Sequence, residues 1–435
     1  MERMTAANAS VVGEGASVTA IIPTYNRANY LGIAISSVLA QNYTPVQVIV
    51  VDDGSNDNTR EIVAKFASPV EYVAKENGGK SSALNLGLRH ARGRFIWIFD
   101  DDDIAEPDAL RKLVIALQEN PRCGFAYGDY DLFAMEEGKM QKAPVRLPSV
   151  RPEDLYLAIM ERSFILQQGM LVRKDCYEQV GSFDENLIRS QDLDMMLRLA
   201  RRYTGVKVPG IMFHHRQHTG VRGSKASPVL AKRSVEGWVK SDREIFGRIY
   251  ATHALRDFLP YGPSPGELNE EQRFTCLLQR SCILARKGLW NEAAQDFRHA
   301  REVAWKMGKT RLSQDQTSIL RRMFDLFSYA PHTFESAAEF RRALGEMRPK
   351  QLQRDMRTAV LWSLPFSVGA ALLHRQYKNA GRFICVYFAL ATPLAMARSL
   401  FSPSFFSAGL QLLRHRSSDL ATDENRKRAT TPSAA

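Results

Sequence analysis

No Cys-x-x-Cys pair occurs in this sequence, and its five cysteines (Cys123, Cys176, Cys276, Cys282 and Cys385) are odd in number and scattered. Neither a disulfide framework nor a thiolate zinc site is expected, and a reducing, cytoplasmic setting fits. The N-terminus has no apolar stretch behind a basic start, so a secretory signal is not expected either. Long hydrophobic runs are also missing. The two most apolar stretches, Thr358–Leu373 and Phe383–Ala397, are roughly 15 residues each and contain a proline, short of the ~18 to 20 that span a bilayer. Arg357, Arg375, Lys378, Arg382 and Arg398 flank them, a pattern that suits a peripheral membrane contact through 358–397 or, as plainly, a buried helical hairpin. The net charge of +12 comes with no zinc-finger or RNP-like signature and no basic run interleaved with aromatics. Nucleic acid is therefore not the expected partner, which leaves anionic lipid or phosphorylated ligands.

The 435 residues do hold material for a real core: 45% are apolar, and the length suggests two or three domains. Met1–Gly15 is small and polar and Ser417–Ala435 is rich in Ser, Thr, Ala and charge, so both ends are expected to be disordered. Between Ser17 and Phe99 short apolar runs alternate with amphipathic segments: Ser17–Ile22 then Tyr30–Gln41, Val46–Val51 then Thr59–Phe66, Val70–Ala74 then Ser81–His90, and Phe95–Phe99. Strands alternating with helices of about ten residues predict βαβ units and an α/β nucleotide-binding architecture with a parallel sheet. Ala109–Leu117 is predicted helical, Gly124–Tyr127 a strand, and 131–152 a loop, because Pro144, Pro148 and Pro152 interrupt it. A strand through Val172, a helix from about Asp192 to Arg202 and a strand near Ile211 follow. Beyond about residue 225 the sequence turns to helices rich in Arg, Ala and Leu. Within them RKGLWNEAAQDFRHA (286–300) resembles the turn of a tetratricopeptide repeat, with Gly288, Trp290, Ala293, Phe297 and Ala300 at the packing positions. One repeat makes a helical hairpin, not a solenoid.

Each predicted strand ends in polar, small or acidic residues: PTYNR at 23–27, DDGS at 52–55, NGGK at 77–80, and four aspartates, Asp100–Asp103, directly after Phe95–Phe99. Ligands of open α/β sheets bind at that carboxyl edge. Four adjacent carboxylates beside a low-dielectric core cannot all ionise at small cost, which points to raised pKa values or a bound cation. An acidic cap on the helix opened by Pro107 and Asp108 is the plainer alternative. NGGKSS at 77–82 invites a P-loop with the aspartates as Walker B, but the position where Walker A needs glycine is Ala74. Lys80, at a helix start beside two glycines, can face phosphate or solvent. His214, His215 and His218 form HHxxH without an acidic or thiolate partner nearby in sequence, which argues against zinc.

Taken together, IIPTYNR (21–27), VDDGSNDNT (51–59), ENGGKSSALN (76–85), the DxDD of Asp100, Asp102 and Asp103, VGSFDENL (180–187) and QDLDMMLR (191–198) resemble, in kind and order, family 2 glycosyltransferases of the GT-A fold. The resemblance covers about residues 17–220. It implies a mostly parallel, Rossmann-like sheet flanked by helices, followed here by an α-helical C-terminal domain. It also implies roles: Pro23, Thr24 and Tyr25 would line a nucleoside pocket, Asp53 would accept a base N–H, and Arg27, Lys80 and Asp101 would serve the donor, Lys80 at its phosphates. Asp100 and Asp102 would hold Mg2+ or Mn2+, the ions that suit hard oxygen ligands, with Asp103 supporting the loop and His218 completing the metal or pyrophosphate site. Asp192 would take the proton from an attacking hydroxyl, although Gln191 stands where many relatives have Glu. The QxxRW motif of processive synthases is absent after Asp192, which implies single additions.

The expected function is inverting, metal-dependent transfer of one sugar from a UDP- or GDP-linked donor to a hydroxyl on a glycan or lipid-linked acceptor. Its expected setting is surface glycan or polysaccharide biosynthesis at the cytoplasmic face of a membrane. A degenerate binding scaffold is the alternative, and a P-loop NTPase comes last. The expected domains are a disordered 1–16, a catalytic 17–225, a helical 226–355 carrying the hairpin, an apolar helical hairpin at 356–416 and a disordered 417–435.

Overall fold

The computed structural model describes residues 17–66, 68–136, 139–217, 234–260, 262, 266–324, 334–373, 380–381 and 383–384. His218, both expected disordered ends and everything from 385 onward lie outside them. The chain divides into two compact units, Met1–Ser241 and Asp242–Ala435.

In the first unit the elements are β1 (Val18–Thr24), α1 (Ala28–Leu39), β2 (Val46–Asp52), α2 (Thr59–Ala64), β3 (Val70–Ala74), α3 (Lys80–His90), β4 (Phe95–Ile98), β5 (Ile104–Ala105) and α4 (Ala109–Glu119). They continue with β6 (Cys123–Glu136), β7 (Lys139–Val145), α5 (Leu155–Glu161), β8 (Met170–Arg173), α6 (Lys174–Val180), α7 (Gln191–Arg202) and β9 (Thr204–Arg216). One sheet joins the strands in the order β3-β2-β1-β4-β8-β6-β9-β5, with β7 paired to β6. The first four are parallel, as the βαβ alternation predicts. β8 then lies antiparallel between β4 and β6, β6 and β9 run parallel, and β5 is antiparallel to β9. The sheet is therefore mixed, because partners that lie dozens of residues apart leave no local periodic signal.

β1 is buried at all seven positions and β4 at all four. Strands covered on both faces need continuous apolar runs, which is why these segments do not alternate. Each fully buried side chain of Phe95–Phe99 contributes roughly 1.5–3 kcal/mol, and that anchors the point at which the chain leaves the sheet as Asp100. The Trp97 indole N–H also donates to the Gln168 carbonyl at 2.8 Å, tying the central strand to the short 3-10 turn Gln167–Gly169 ahead of β8.

The loop expected over 131–152 is corrected by the structure: β6 runs on to Glu136, and Lys139–Val145 pairs with it antiparallel, Pro144 opposite Asp131. β7 pairs only with β6 and is exposed from Lys139 to Pro144. A proline on such an edge has no ladder bond to donate, so it does not break the strand.

The second unit is helical: most of α8 (Ser234–Thr252, which begins in the first unit), α9 (Glu270–Arg286), α10 (Trp290–Lys306), α11 (Gln314–Arg321), α12 (Phe334–Gly345) and α13 (Lys350–Leu373). Asn269 with Gln272, and Ser313 with Gln316, form capping boxes that start α9 and α11. Gly288, at φ +80°, turns the chain between α9 and α10, where a side chain would be strained. Trp290, Ala293, Phe297 and Ala300 face a shared core with Phe274, Phe324 and Phe340. Arg280 crosses that interior as a bidentate partner of the fully buried Asp296, at 2.7 and 2.8 Å. Among the described residues no helix is long and apolar enough to cross a membrane.

Candidate active site

The carboxyl ends of β1 and β4 are neighbours in the sheet, which brings Thr24 and Arg27 to the aspartate run. The buried Thr24 hydroxyl donates to Asp101 Oδ2 at 2.7 Å, and the Arg27 guanidinium meets Asp102 Oδ2 at 2.7 Å. Pro23 is buried beside them and Tyr25 is half-buried. Asn26 turns the chain with φ +52°, its side chain accepting from the Asn56 N–H and its own N–H donating to Ser55 Oγ. The first two strand-end loops are thereby fastened to each other.

Lys80 opens α3 and reaches Asp100 Oδ1 at 2.5 Å. A lysine held on a carboxylate just beyond β4 is not the phosphate nest of a P-loop. Asp53, the expected acceptor of a base N–H, has a full set of protein donors: Lys75 Nζ and the Gly78 N–H on Oδ1, the Asn77 amide and the Gly79 N–H on Oδ2, all between 2.7 and 3.0 Å. An ionised carboxylate offers about four acceptor sites. All are engaged here.

One carboxylate oxygen from each of Asp100, Asp102 and Asp103 lies within 4.8 Å of the others, the one such acidic grouping among the described residues. Asp103 is completely buried and faces inward: it accepts from the Arg216 N–H at 2.9 Å and the Gln168 amide at 2.9 Å, and meets His215 Nδ1 at 3.1 Å. Asp100 keeps 23% of its side-chain exposure, whereas Asp102, at 10%, is buried beside Arg27. Gln168 also donates to Asp100 Oδ2 at 2.6 Å, bridging the inner and outer aspartates. Arg216 donates from Nε to the Asp102 carbonyl while its guanidinium stacks over Tyr30 and Phe133. Sequence reasoning missed Gln168, His215 and Arg216 as parts of this cluster. Gln168 carries no local signal, and the histidines drew attention only as HHxxH. On a strand neighbouring side chains point to opposite faces. His214 accordingly goes to Glu106 and Asp131, away from Asp103.

Asp192 is set in place from two directions. Asn85 of α3 accepts from the Phe183 N–H and donates to the Phe183 carbonyl and Glu185, fastening the GSFDE turn to the helix that carries Lys80. Arg198 of α7 pairs with Asp194 and donates to the carbonyls of Val180, Gly181 and Ser182. Asp192 then starts α7 close enough to Lys80 and Asp100 for their charges to act on it.

Burial raises the pKa of Asp101 to about 7, helped by the charge on Asp102 and opposed by Arg27 and Thr24. Burial likewise raises Asp103 against the pull of His215, and raises Asp192 against the pull of Lys80. For the two cations burial works against charge, yet neighbouring carboxylates outweigh it. Asp101 and Asp102 hold Arg27, and Asp100 with Asp192 and Asp102 holds Lys80, above their ordinary values. A negative knot is thus met by two fixed positive groups, the arrangement that a polyanionic ligand and a cation could share.

Residues 19–180 match the family model for glycosyl transferase family 2. Over 200 residues the chain is 32% identical to the uncharacterized glycosyltransferase RP339 of Rickettsia prowazekii, covering 46% of this chain and 61% of that protein. It is 27% identical over 286 residues to the succinoglycan biosynthesis protein ExoO of Rhizobium meliloti, covering 63% of this chain and 80% of that protein. A crystal structure of S. aureus TarS in complex with UDP-GlcNAc superposes with a TM-score of 0.46 at 16% identity, covering 86% of this chain and 91% of that one. The match places a glycosyl transferase family 2 domain in the N-terminal unit, over residues 19–180, on the mixed sheet with its flanking helices. The chain spans between 27% and 61% of the length of the Rickettsia relatives it matches.

Proposed function

We propose that the protein transfers a single sugar, with inversion, from a nucleotide-diphosphate donor, UDP- or GDP-linked, to a hydroxyl of a glycan or lipid-linked acceptor. The observation that carries this reading is the acidic cluster at the sheet edge, with Lys80 and Arg27 seated on Asp100 and Asp102 and with Asp192 electrostatically coupled to Lys80. Pro23, Thr24, Tyr25 and Asp101 would line the nucleoside. Lys80 and Arg27 would meet the diphosphate, which presents several acceptor oxygens to a cation with fixed donors. Asp53 belongs to the donor site on this reading. Asp192 would accept the proton of the attacking hydroxyl while the acceptor oxygen bonds to the anomeric carbon and the sugar–phosphate bond opposite breaks. A carboxylate whose basicity is raised by burial suits that task.

Asp100 and Asp102 supply the hard carboxylate oxygens that suit a divalent cation, each now also met by a cationic side chain, Lys80 and Arg27, while Asp103 is completely buried among protein donors. A bound Mg2+ or Mn2+ would offset the charge on the departing diphosphate. His218, the third expected ligand, lies outside the described residues and stays in the proposal as a candidate. The name of ExoO supports surface polysaccharide biosynthesis as the setting, and the basic flanks of 358–397 support peripheral contact with the cytoplasmic face of a membrane. The test is hydrolysis and transfer across a panel of nucleotide sugars with Mn2+, for wild type, Asp102→Ala and Asp192→Asn. Each substitution is expected to lower turnover by ~100-fold or more. Turnover that survives both would sink the assignment.

A further inference from the structure

We infer that Trp238 is an acceptor platform: the open face of its indole stacks on a sugar ring of the acceptor, while Arg189 holds the indole and offers donors to that sugar's hydroxyls. This rests on the reading of Asp192 as the base and of the acceptor as a glycan. Two of the large apolar side chains that stay exposed in the first unit are Ile188, at 65%, and Trp238, at 47%. Both adjoin one residue, Arg189. Ile188 precedes it in the chain, and its guanidinium lies over the Trp238 ring, 5.9 Å from the centroid. Gly237 makes that approach possible, since a Cβ there would come within 2.8 Å of Arg189 Nε. The part of α8 that belongs to the first unit is thereby fitted to the segment that leads into α7.

That segment ends at the proposed base. Ser190 turns the chain at φ +57°, its carbonyl accepts the Asp194 N–H at 2.9 Å, and Asp192 lies in the first turn of α7. Arg189 comes three positions before Asp192, so their backbones are at most roughly 11 Å apart. A glycan whose terminal hydroxyl meets Asp192 is long enough for its next rings to reach the indole. A pyranose ring is itself amphipathic, with C–H groups on its face and hydroxyls around its edge. An indole with a guanidinium over one face and the other open matches both, because the π face takes the C–H groups and arginine brings five N–H donors. Stacking also removes from water the apolar area that the indole now leaves exposed. The indole has no proton to exchange with the reacting hydroxyl, so its part is affinity and the selection of ringed acceptors.

The test separates acceptor affinity from catalysis. With a nucleotide sugar that wild type turns over, hydrolysis by water is compared with transfer to methyl glycosides and disaccharides of glucose, galactose and mannose, and to a prenyl-linked glycoside. At low acceptor concentration Trp238→Ala should lower glycoside transfer relative to hydrolysis by roughly tenfold, the loss of one stacking contact, through KM for the glycoside. Trp238→Tyr should restore most of that ratio. Gly237→Ala favours the helix but drives its Cβ against Arg189, and should shift the ratio the same way. An unchanged ratio in Trp238→Ala would overturn the inference, whether both rates hold or both fall together because the indole only props α7. A loss confined to the prenyl-linked acceptor would give the platform to a lipid chain and would overturn it as well. A glycan array probed with the full chain keeps the inference apart from the proposed transfer. If wild type turns over no nucleotide sugar, the transfer reading falls. Array binding that Trp238→Ala loses would still uphold the platform, and no array binding by wild type would end it.

Discussion

Gln168→Leu isolates one side chain that joins the scaffold to the acidic cluster. Gln168 is 4% exposed, and its amide donates to Asp100 Oδ2 at 2.6 Å and Asp103 Oδ2 at 2.9 Å. Leucine has nearly the same volume, so the cavity contribution is small and the effect reports the two lost donors. Hydrogen bonds to charged groups are worth about 1.5–3 kcal/mol each, and one amide serving two carboxylates loses part of that to shared geometry. Asp103 also keeps the Arg216 N–H and His215. A loss of about 2–4 kcal/mol is therefore expected, together with a further rise of the Asp103 pKa, since burial already dominates its shift. Because the chain has two compact units, a whole-chain melt is not a two-state measurement. The free energy should be read from hydrogen exchange of amides in β4 and β8, the strands that Trp97 and the 167–169 turn connect. A loss below about 0.5 kcal/mol would refute the reasoning, because it would mean that the buried carboxylates do not depend on this donor.

Three other outcomes follow from the same structure. The rate of transfer should fall as pH drops through the pKa of Asp192, because the base must be ionised; burial raises that pKa, so the acid limb should lie above the ~3.9 of an ordinary aspartate. An acid limb at or below that value would remove Asp192 as the base. In the second unit, Asp296→Ala should cost about 3–5 kcal/mol by leaving Arg280 buried without its partner, whereas Arg280→Met with Asp296→Leu should lie near wild type. Exchange of amides in α9 and α10 measures both, and a single variant as stable as the double would contradict the account. If 358–397 contacts a membrane through its basic flanks, the full chain should sediment with vesicles rich in anionic lipid at low salt and be released at high salt. No sedimentation at low salt would end that proposal.

The strand-end loops show how far local pattern reaches. Val70–Ala74 is a strand with the bounds read from the sequence, and the first three helices begin within two residues of their predicted starts, because turn residues and apolar periodicity are local properties. Residues 131–152 went the other way. Pro144 breaks a strand only if its missing N–H is needed, and whether it lies on an edge is set by β6, the partner that covers one side only.

By itself the sequence determined the parallel half of the sheet, the carboxyl edge on which the polar loops converge, and the aspartate run that marks it. A buried strand must be apolar throughout and must end where charge begins. Only tertiary structure decided that Asp100 stays partly exposed while Asp101, Asp102 and Asp103 are buried. It also decided that Gln168, His215 and Arg216 hold Asp103, that the loop after β3 donates to Asp53, and that Lys80 is paired with Asp100. Those relations join residues from 20 to 113 positions apart, and adjacent aspartates differ only in what the rest of the chain places against them.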